Sequence, residues 1–218
     1  VGYIRLKQFN ANAAKDMREA ITDLKEQGAE GFVLDLRSNP GGLLMASVEI
    51  ARQWLDEGVI VSSQTRDGVN DVKKASGRAL TEAPLVVLVN EGSASASEIL
   101  SGAIQDNNRG TIVGKTTFGK GLIQSVRPLS DGSGMTVTIA KYLTPKGHDI
   151  HKNGIKPDVI AGLSEAQARS LKFEELGTRS DPQYKVAETE LSKLLRAAKQ
   201  APEVSYDPNS KVPALMGQ

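Results

Sequence analysis

The sequence predicts an α/β fold in which helices cover a layer of buried strands. Two short runs, "GFVLDLR" and "PLVVLVN", combine β-branched and apolar residues without alternation, as strands buried on both faces do. Between them, "LLMASVEIARQW" has apolar residues at helical spacing. Further strand-like runs follow, joined by glycine-rich turns. This order favours a layered fold with parallel strands covered by helices.

Local signals place the elements along the chain. A first helix is predicted between Asn12, a favourable N-cap residue, and Gly28, where it stops. The strand "GFVLDLR", the turn "SNPGG", a helix in "LLMASVEIARQWLDEG" and the strand "VIVSS" follow in that order. Residues 69–83 are polar and are predicted as a surface excursion. After "PLVVLVN" we expect a helix through about Asn108, then short strands in "TIVG", "LIQSVRPL" and "MTVTIAKYL".

From Leu163 onward the pattern changes to a charged, helix-rich segment. We therefore divide the chain into a core at 1–162 and a C-terminal extension at 163–218. Within the extension, five apolar residues recur as one stripe of a helix: Tyr184, Ala187, Leu191, Leu194 and Leu195. Such a stripe predicts a helical cover for the core or an assembly surface. Residues 201–218 are predicted to form an irregular end.

Composition excludes several classes of function. The 27 Lys and Arg residues nearly balance the 26 Asp and Glu residues, so no global field favours nucleic acid or an acidic membrane surface. The chain has no cysteine, which excludes disulfides and thiolate chemistry. No apolar run reaches the roughly 18 residues that span a bilayer, and the start "VGYIRLKQF" lacks a signal-peptide pattern. We expect a soluble piece of a protein.

The stretch "NEGSASASEI" is the first candidate for chemistry. It joins a buried strand to a helix, so it lies at the carboxyl edge of the sheet, where α/β folds bind ligands. A serine there is next to the positive end of a helix and to free N–H groups, which suit an anion forming on a carbonyl oxygen. The alternative is structural, because Ser95 and Glu98 have the spacing of a capping box.

A nucleophilic serine needs a base, and the sequence offers two kinds. His148 and His151 lie in "TPKGHDIHKNG", and either could join Ser95 and Asp106 in a triad. Lys120 lies between glycines in "TFGKGLIQ", which lets the backbone approach another segment closely. A lysine acts as a base only where a dry pocket disfavours its charged form. The spacing alone leaves both kinds open.

Three motifs together resemble a known family. "LDLRSNPGG", "GSASASEILSGAIQDNNRG" and "VGKTTFGKGLIQSV" are similar, in order and spacing, to those of the carboxyl-terminal processing, or tail-specific, proteases. The resemblance runs from Val1 to about Asp158, and the amino-acid sequence of the motifs is most similar to the cyanobacterial and plastid branch. It implies a crotonase-like layered fold with a mixed sheet and covering helices, which is shared with the caseinolytic protease core and with enoyl-CoA hydratases.

The resemblance also implies roles for particular residues. Ser95 matches the nucleophile of the family, Lys120 its base, and Gln124 the residue that positions the base. The N–H groups of Gly41 and Ala96 match the oxyanion hole. Ser93, Ser97 and the carboxylates of Glu98 and Asp106 are expected to be supporting hydrogen-bonded residues. No metal and no organic cofactor is expected.

The implied function is a serine endoprotease that cleaves apolar C-terminal tails from proteins. Family members have a PDZ domain upstream, so we expect one in the full-length protein. We also expect an extracytoplasmic location, the periplasm or the thylakoid lumen. Two alternatives stay open: an acyl-CoA hydratase or hydrolase on the same fold, and a catalytically silent peptide-binding core that depends on a missing PDZ domain. Retention of both Ser95 and Lys120 weighs against each.

Overall fold

The computed structural model describes residues 1–200 and shows two sheets and five α-helices in that part of the chain. The first half contains β1 (Gly2–Arg5), α1 (Ala13–Glu26), β2 (Phe32–Asp35), α2 (Leu44–Trp54), β3 (Val59–Thr65), β4 (Gly68–Lys74), β5 (Leu85–Val89) and α3 (Ala96–Asp106). The second half contains β6 (Thr111–Gly114), β7 (Leu122–Pro128), β8 (Gly134–Leu143), β9 (Val159–Ile160), α4 (Glu165–Ser170), a 3-10 turn (Phe173–Glu175) and α5 (Pro182–Gln200). The irregular end predicted for 201–218 lies outside the described residues.

The parallel and antiparallel pairings lie in separate sheets. The first sheet is parallel, in the order β1-β2-β5-β6-β9, and the second is antiparallel, in the order β4-β3-β8-β7. The parallel sheet arises because each of β1, β2 and β5 is followed by a stretch long enough to cross over and return in the same direction. The predicted α/β class is confirmed.

Helices cover both faces of the parallel sheet. On one face, Phe32, Leu34 and Val87 belong to the main core, which also includes the fully buried Trp54 of α2 and Leu100 of α3. Every residue of β5 is fully buried, which explains the unbroken apolar run in its sequence. Each buried Val or Leu side chain contributes about 1.5–3 kcal/mol through the hydrophobic effect.

The opposite face of the sheet is covered by α5. Val33, Val86 and Leu88 form a second cluster with Ala187 and Leu191, which are both fully buried. The remaining members of the predicted stripe also contact this cluster: Tyr184, Leu194 and Leu195. The apolar stripe read from the sequence is thus confirmed as a cover for the sheet.

Three strands were not predicted: β1, β4 and β9. The surface excursion predicted for 69–83 is wrong in its first part, because Gly68–Lys74 forms β4 and pairs with β3 in an antiparallel hairpin. β4 is an edge strand whose Val69 and Val72 are exposed, so it lacks the apolar run of a buried strand. β9 has two residues and pairs with β6 at one edge of the parallel sheet. A segment so short carries no periodicity.

The sheet topology brings two loops together. β2 and β5 are parallel neighbours with Asp35 opposite Leu88, so the "SNPGG" turn after β2 and the serine cluster after β5 leave the same edge. Within residues 1–200 no helix combines the length and apolar character needed to cross a membrane.

Candidate active site

Ser95 occupies a strained turn between β5 and α3. Its backbone angles are φ 57° and ψ −112°, a region that residues other than glycine rarely adopt. Such a conformation costs about 1–3 kcal/mol and persists only where the surroundings enforce it. A serine on a sharp strand-to-helix turn is the arrangement that exposes a nucleophilic hydroxyl at the top of a sheet. Ser95 itself is half-buried.

The other two serines of the cluster bind the neighbouring turn. The Ser93 hydroxyl donates to the carbonyl oxygen of Leu36 at 2.8 Å, and the Ser97 hydroxyl donates to that of Asn39 at 2.9 Å. The Asn39 carbonyl also accepts from the Ala94 N–H at 3.0 Å. Ser93 and Ser97 are fully buried. They therefore hold the turn after β2 against the start of α3, which is the supporting role predicted for them.

Gly41 lies directly against the turn that carries Ser95. A Cβ atom at Gly41 would lie 2.9 Å from the Ser95 Cβ, 2.9 Å from the Ala96 nitrogen and 2.6 Å from the Ala94 oxygen. Together with a φ of 99°, this contact requires glycine. The predicted oxyanion residues, Gly41 and Ala96, are thus neighbours at the first turn of α3. The N–H groups of Ser97 and Glu98 in that turn already donate to the carbonyl oxygens of Ala94 and Ser95, at 3.1 and 2.9 Å.

The Gly41 N–H already has an acceptor in this structure. It donates to the Asn39 Oδ1 at 2.9 Å, while the Asn39 amide nitrogen donates to the Leu6 carbonyl at 2.8 Å. Asn39 is fully buried, so its side chain is fixed at both ends. A substrate oxygen that binds Gly41 must share this N–H or displace Asn39.

Glu98 connects the Ser95 turn to the loop that carries Lys120. One carboxylate oxygen accepts from the Ser95 N–H at 2.8 Å and from the Lys120 N–H at 2.9 Å. Each nitrogen is one hydrogen bond from the same oxygen, so the two nitrogens lie within about 6 Å of each other. The second oxygen accepts from the Thr117 hydroxyl and the Gly119 N–H, both at 2.6 Å. Glu98 is fully buried.

The Lys120 loop is also held from its other side. The Gly119 carbonyl accepts from the Lys152 N–H at 2.9 Å, and the Gly121 carbonyl accepts from the Tyr142 N–H at 2.7 Å. A Cβ at Gly121 would lie 2.5 Å from the His151 nitrogen. The glycines beside Lys120 therefore permit the close backbone approach that the sequence predicted.

The Lys120 side chain does not lie in a dry pocket among the residues that the structure describes. It is exposed, and its Nζ has no hydrogen bond or ion pair with any residue the structure describes. Gln124 is also exposed, on the edge strand β7 next to a register irregularity at Ile123. The exclusion of water that a lysine base needs must therefore come from a substrate or from protein outside these residues.

The alternative triad is not assembled. His148 Nδ1 lies 4.0 Å from an Asp106 oxygen, so two of its three members are neighbours. However, Asp106 ends α3 and Ser95 precedes it, and a helix of 11 residues is about 16 Å long. The Asp106 carboxylate instead accepts from the Lys146 N–H at 2.9 Å and so holds a nearby turn. His151 lies beside the Lys120 loop.

Sequence reasoning gave no role to Asn39 and missed the extent of the Glu98 network. An asparagine before proline in a turn could have indicated an Asx-type hydrogen bond such as that of Asn39. Nothing local indicates that Glu98 would bind a loop some 20 residues further on. Within the described residues, no three His, Cys, Asp or Glu side chains are placed to hold a metal ion.

A serine at a strained strand-to-helix turn, beside a glycine turn, is the arrangement of a serine hydrolase. The sequence model of Peptidase family S41 matches residues 1–161, and the chain belongs to this family of peptidases.

The chain is similar to several proteins that are named as C-terminal processing proteases or peptidases. The chain is 56% identical over 187 residues to the carboxyl-terminal-processing protease of Synechocystis, covering 86% of this chain and 43% of that protein. It is 52% identical over 160 residues to the chloroplastic C-terminal processing peptidase of Tetradesmus obliquus, covering 73% and 34%. A solved structure of a photosystem II D1 C-terminal processing protease superposes with a TM-score of 0.73 at 45% identity, covering 84% and 48%. This chain thus spans less than half the length of these relatives.

Proposed function

We propose that this chain is the catalytic core of a serine endoprotease that removes C-terminal tails from proteins. The observation that carries the proposal is the Glu98 carboxylate, which holds the backbones of Ser95 and Lys120 together beside the Gly41 turn. Membership of a peptidase family, with relatives named as C-terminal processing proteases, supports the same function.

The proposed reaction follows from this geometry. The Ser95 hydroxyl attacks the scissile carbonyl, and neutral Lys120 takes the hydroxyl proton and later gives it to the leaving amine. The N–H groups of Ala96 and Gly41 bind the oxyanion, where one such donor typically lowers the barrier by about 3 kcal/mol. Water then releases the acyl-enzyme. Gln124, on the strand that follows Lys120, orients the lysine.

Lys120 acts as a base only after water is excluded from its side chain. In this structure the side chain is exposed, and the Gly41 N–H donates to Asn39. The backbones of Ser95, Lys120 and Gly41 are therefore in place, but the Lys120 side chain and the Gly41 N–H are not yet arranged for catalysis. We infer that a bound substrate and the parts of the protein beyond this chain cover Lys120.

The finer assignments are also proposals. The substrates are proteins with short apolar C-terminal tails, which an upstream PDZ domain captures by strand addition. The relatives are more than twice as long as the matched region, which leaves room for such a domain. The core at 1–162 adopts the crotonase-like arrangement, and 163–218 forms an extension. The cyanobacterial and chloroplastic relatives favour the thylakoid lumen over the periplasm.

The test uses the full-length protein and a substrate that ends in small apolar residues. Ser95→Ala and Lys120→Ala are expected to lose cleavage by at least about 100-fold, the scale of a missing acid–base group. Lys115→Ala is the matched control, because Lys115 is a nearby lysine whose partner is the exposed Glu91. It is expected to cleave normally.

Two further results would decide between the alternatives. Labelling of Ser95 by a sulfonyl fluoride supports the nucleophile, and its absence together with acyl-CoA binding would favour the acyl-CoA enzyme. Cleavage that survives Lys120→Ala but not His151→Ala would transfer the role of base to the histidine. A stable complex with the tail peptide, without cleavage by the full-length wild type, would favour the silent binding core.

A further inference from the structure

Arg37 is the first residue after β2, and its guanidinium group is buried between two carboxylates. It pairs with Asp35 through Nε and Nη2, at 3.0 and 2.6 Å, and with Asp181 through Nη1 and Nη2, at 3.1 and 2.7 Å. Nη1 also donates to the Gln183 Oε1 at 3.0 Å. The Arg37 side chain is 5% exposed and both aspartates are fully buried. Asp181 and Gln183 belong to the start of α5.

We propose that Arg37 is a positioning residue for the oxyanion turn, and that Asp181 and Gln183 make the start of α5 part of the catalytic apparatus. The inference rests on the proposed function, because it concerns the rate of the same reaction. It gives α5 a role beyond that of a cover for the sheet, although α5 lies after the residues that the family model matches.

Anchoring α5 does not by itself call for buried charges. The helix already buries Tyr184, Ala187 and Leu191 against the sheet. Desolvation makes a buried ion pair a weak source of stability compared with apolar residues of similar volume. What a bidentate guanidinium adds is geometric precision, since its planar fork fixes both distance and direction to each carboxylate.

The Asp35–Arg37 pair fixes the backbone at the end of β2, where the chain leaves the sheet. The Asp35 carboxylate accepts from the backbone N–H of Arg37 at 2.9 Å as well as from its side chain, so backbone and guanidinium are held by one group. The Tyr3 hydroxyl donates to the same carboxylate at 2.7 Å. The direction of the chain at Arg37 is therefore set by a rigid, fully paired cluster.

Residues 38–41 connect Arg37 to the proposed oxyanion hole, so the backbone direction at Arg37 affects the position of Gly41. Ser38 has a φ of 56°, and its N–H donates to the Asn90 Oδ1 at 2.7 Å. Asn39 follows and accepts from the Gly41 N–H. A small rotation at Arg37 thus changes the distance between Gly41 and Ser95, which are in contact. Displacements of about 1 Å at a reacting group can cost about 100-fold in rate.

Asp181→Asn in the full-length protein tests the proposal, with Leu191→Ala as the control. The asparagine keeps the shape of the side chain but removes one carboxylate oxygen and the charge. Leu191 is fully buried on the same helix, eight residues and therefore about 12 Å along the axis beyond Gln183, so its truncation weakens α5 away from the Arg37 cluster. Measurements are the melting temperature, kcat, KM and inhibition by a peptide aldehyde, whose adduct with Ser95 places an oxyanion in the hole.

We expect Asp181→Asn to lower kcat by about 10- to 100-fold, to leave KM within about twofold, and to weaken aldehyde binding in proportion to kcat. Leu191→Ala is expected to lower the melting temperature at least as much while kcat stays normal below that temperature. Equal kcat values for the two variants, measured where both are folded, would overturn the positioning role.

Amide hydrogen exchange separates this proposal from the proposed function. Faster exchange over residues 36–42 in Asp181→Asn, but not in Leu191→Ala, is expected even if the wild type cleaves no tail. Unchanged exchange over 36–42 in Asp181→Asn would contradict the coupling between α5 and the turn. A wild type that neither cleaves nor binds the aldehyde would contradict the proposed function alone.

Discussion

Replacing Glu98 with glutamine tests the connection between Ser95 and Lys120. The Glu98 carboxylate accepts four hydrogen bonds in a fully buried position, from Ser95, Thr117, Gly119 and Lys120. A glutamine side chain has one oxygen, which can keep two of these donors, and an NH₂ group that faces the other two. The change therefore removes acceptors without removing volume.

The cost follows from which donors lose their acceptor. If the amide oxygen stays with Ser95 and Lys120, the Gly119 N–H is left unpaired, and a buried unpaired donor costs about 1–3 kcal/mol. In the opposite orientation the N–H groups of Ser95 and Lys120 both lose their acceptor, but these two bonds are part-buried, so solvation by water offsets part of the cost. Either result loosens the Lys120 loop, so we expect cleavage to fall by about 100-fold.

The assay measures the free energy of unfolding by denaturant together with the cleavage rate of a tail substrate by the full-length protein. Glu91→Gln is the matched control, because Glu91 is an exposed glutamate of the same connection between β5 and α3. Its effect on stability is expected to stay within about 0.5 kcal/mol. If Glu98→Gln retains both normal stability and a normal rate, Glu98 does not hold the site together.

Three further outcomes are expected. Gly41→Ala should abolish cleavage and destabilise the fold, because the added Cβ would clash with the Ser95 turn. Gly68→Ala is the control: Gly68 also has a positive φ, but its added Cβ would have no atom within 4 Å, so cleavage should stay normal. Equal activity of the two variants would contradict the close contact at Gly41. His148→Ala should cleave normally, because the His148 side chain is 73% exposed at the far end of α3; loss of cleavage on a folded protein would revive the histidine base. For Asp181, burial pushes the carboxyl pKa upward, but hydrogen bonds and charge from Arg37 outweigh it and hold the pKa below its usual value. A depressed pKa stabilises the fold above the unfolded-state value, near 3.8, and this contribution is lost as pH falls through the folded pKa. The unfolding free energies of wild type and Asp181→Asn should therefore differ by about 3 kcal/mol at pH 7, and denaturant titrations should show this gap narrow only as pH falls below the unfolded-state value and through the lower folded pKa; a gap that does not change with pH would refute the ion-pair account.

The strands and helices were predicted correctly where the local sequence shows which of their residues are buried. β2 and β5 are buried on both faces, and their apolar runs identified them without any knowledge of partners. The stripe on α5 was equally visible, because helical spacing places its members on one face. β4 was missed because an exposed edge strand needs few apolar residues, and β9 because two residues form no pattern.

The functional residues divide in a similar way. Ser95 was singled out by the local logic of a strand that turns into a helix through small residues, and Lys120 by the glycines that flank it. The resemblance to a protease family then paired them. The dry pocket assumed for Lys120 is not formed by residues 1–200, because pocket walls come from segments that the local sequence does not specify.

The sequence by itself determined the α/β class, the main helices and buried strands, and the position of the serine turn, because these depend on residues close together in the chain. Only the tertiary structure decided the partners of the buried charges. Arg37 meets an aspartate 144 positions away, and Glu98 meets a loop about 20 positions away. Such contacts depend on how sheets and helices are layered, and a local pattern carries no record of that layering.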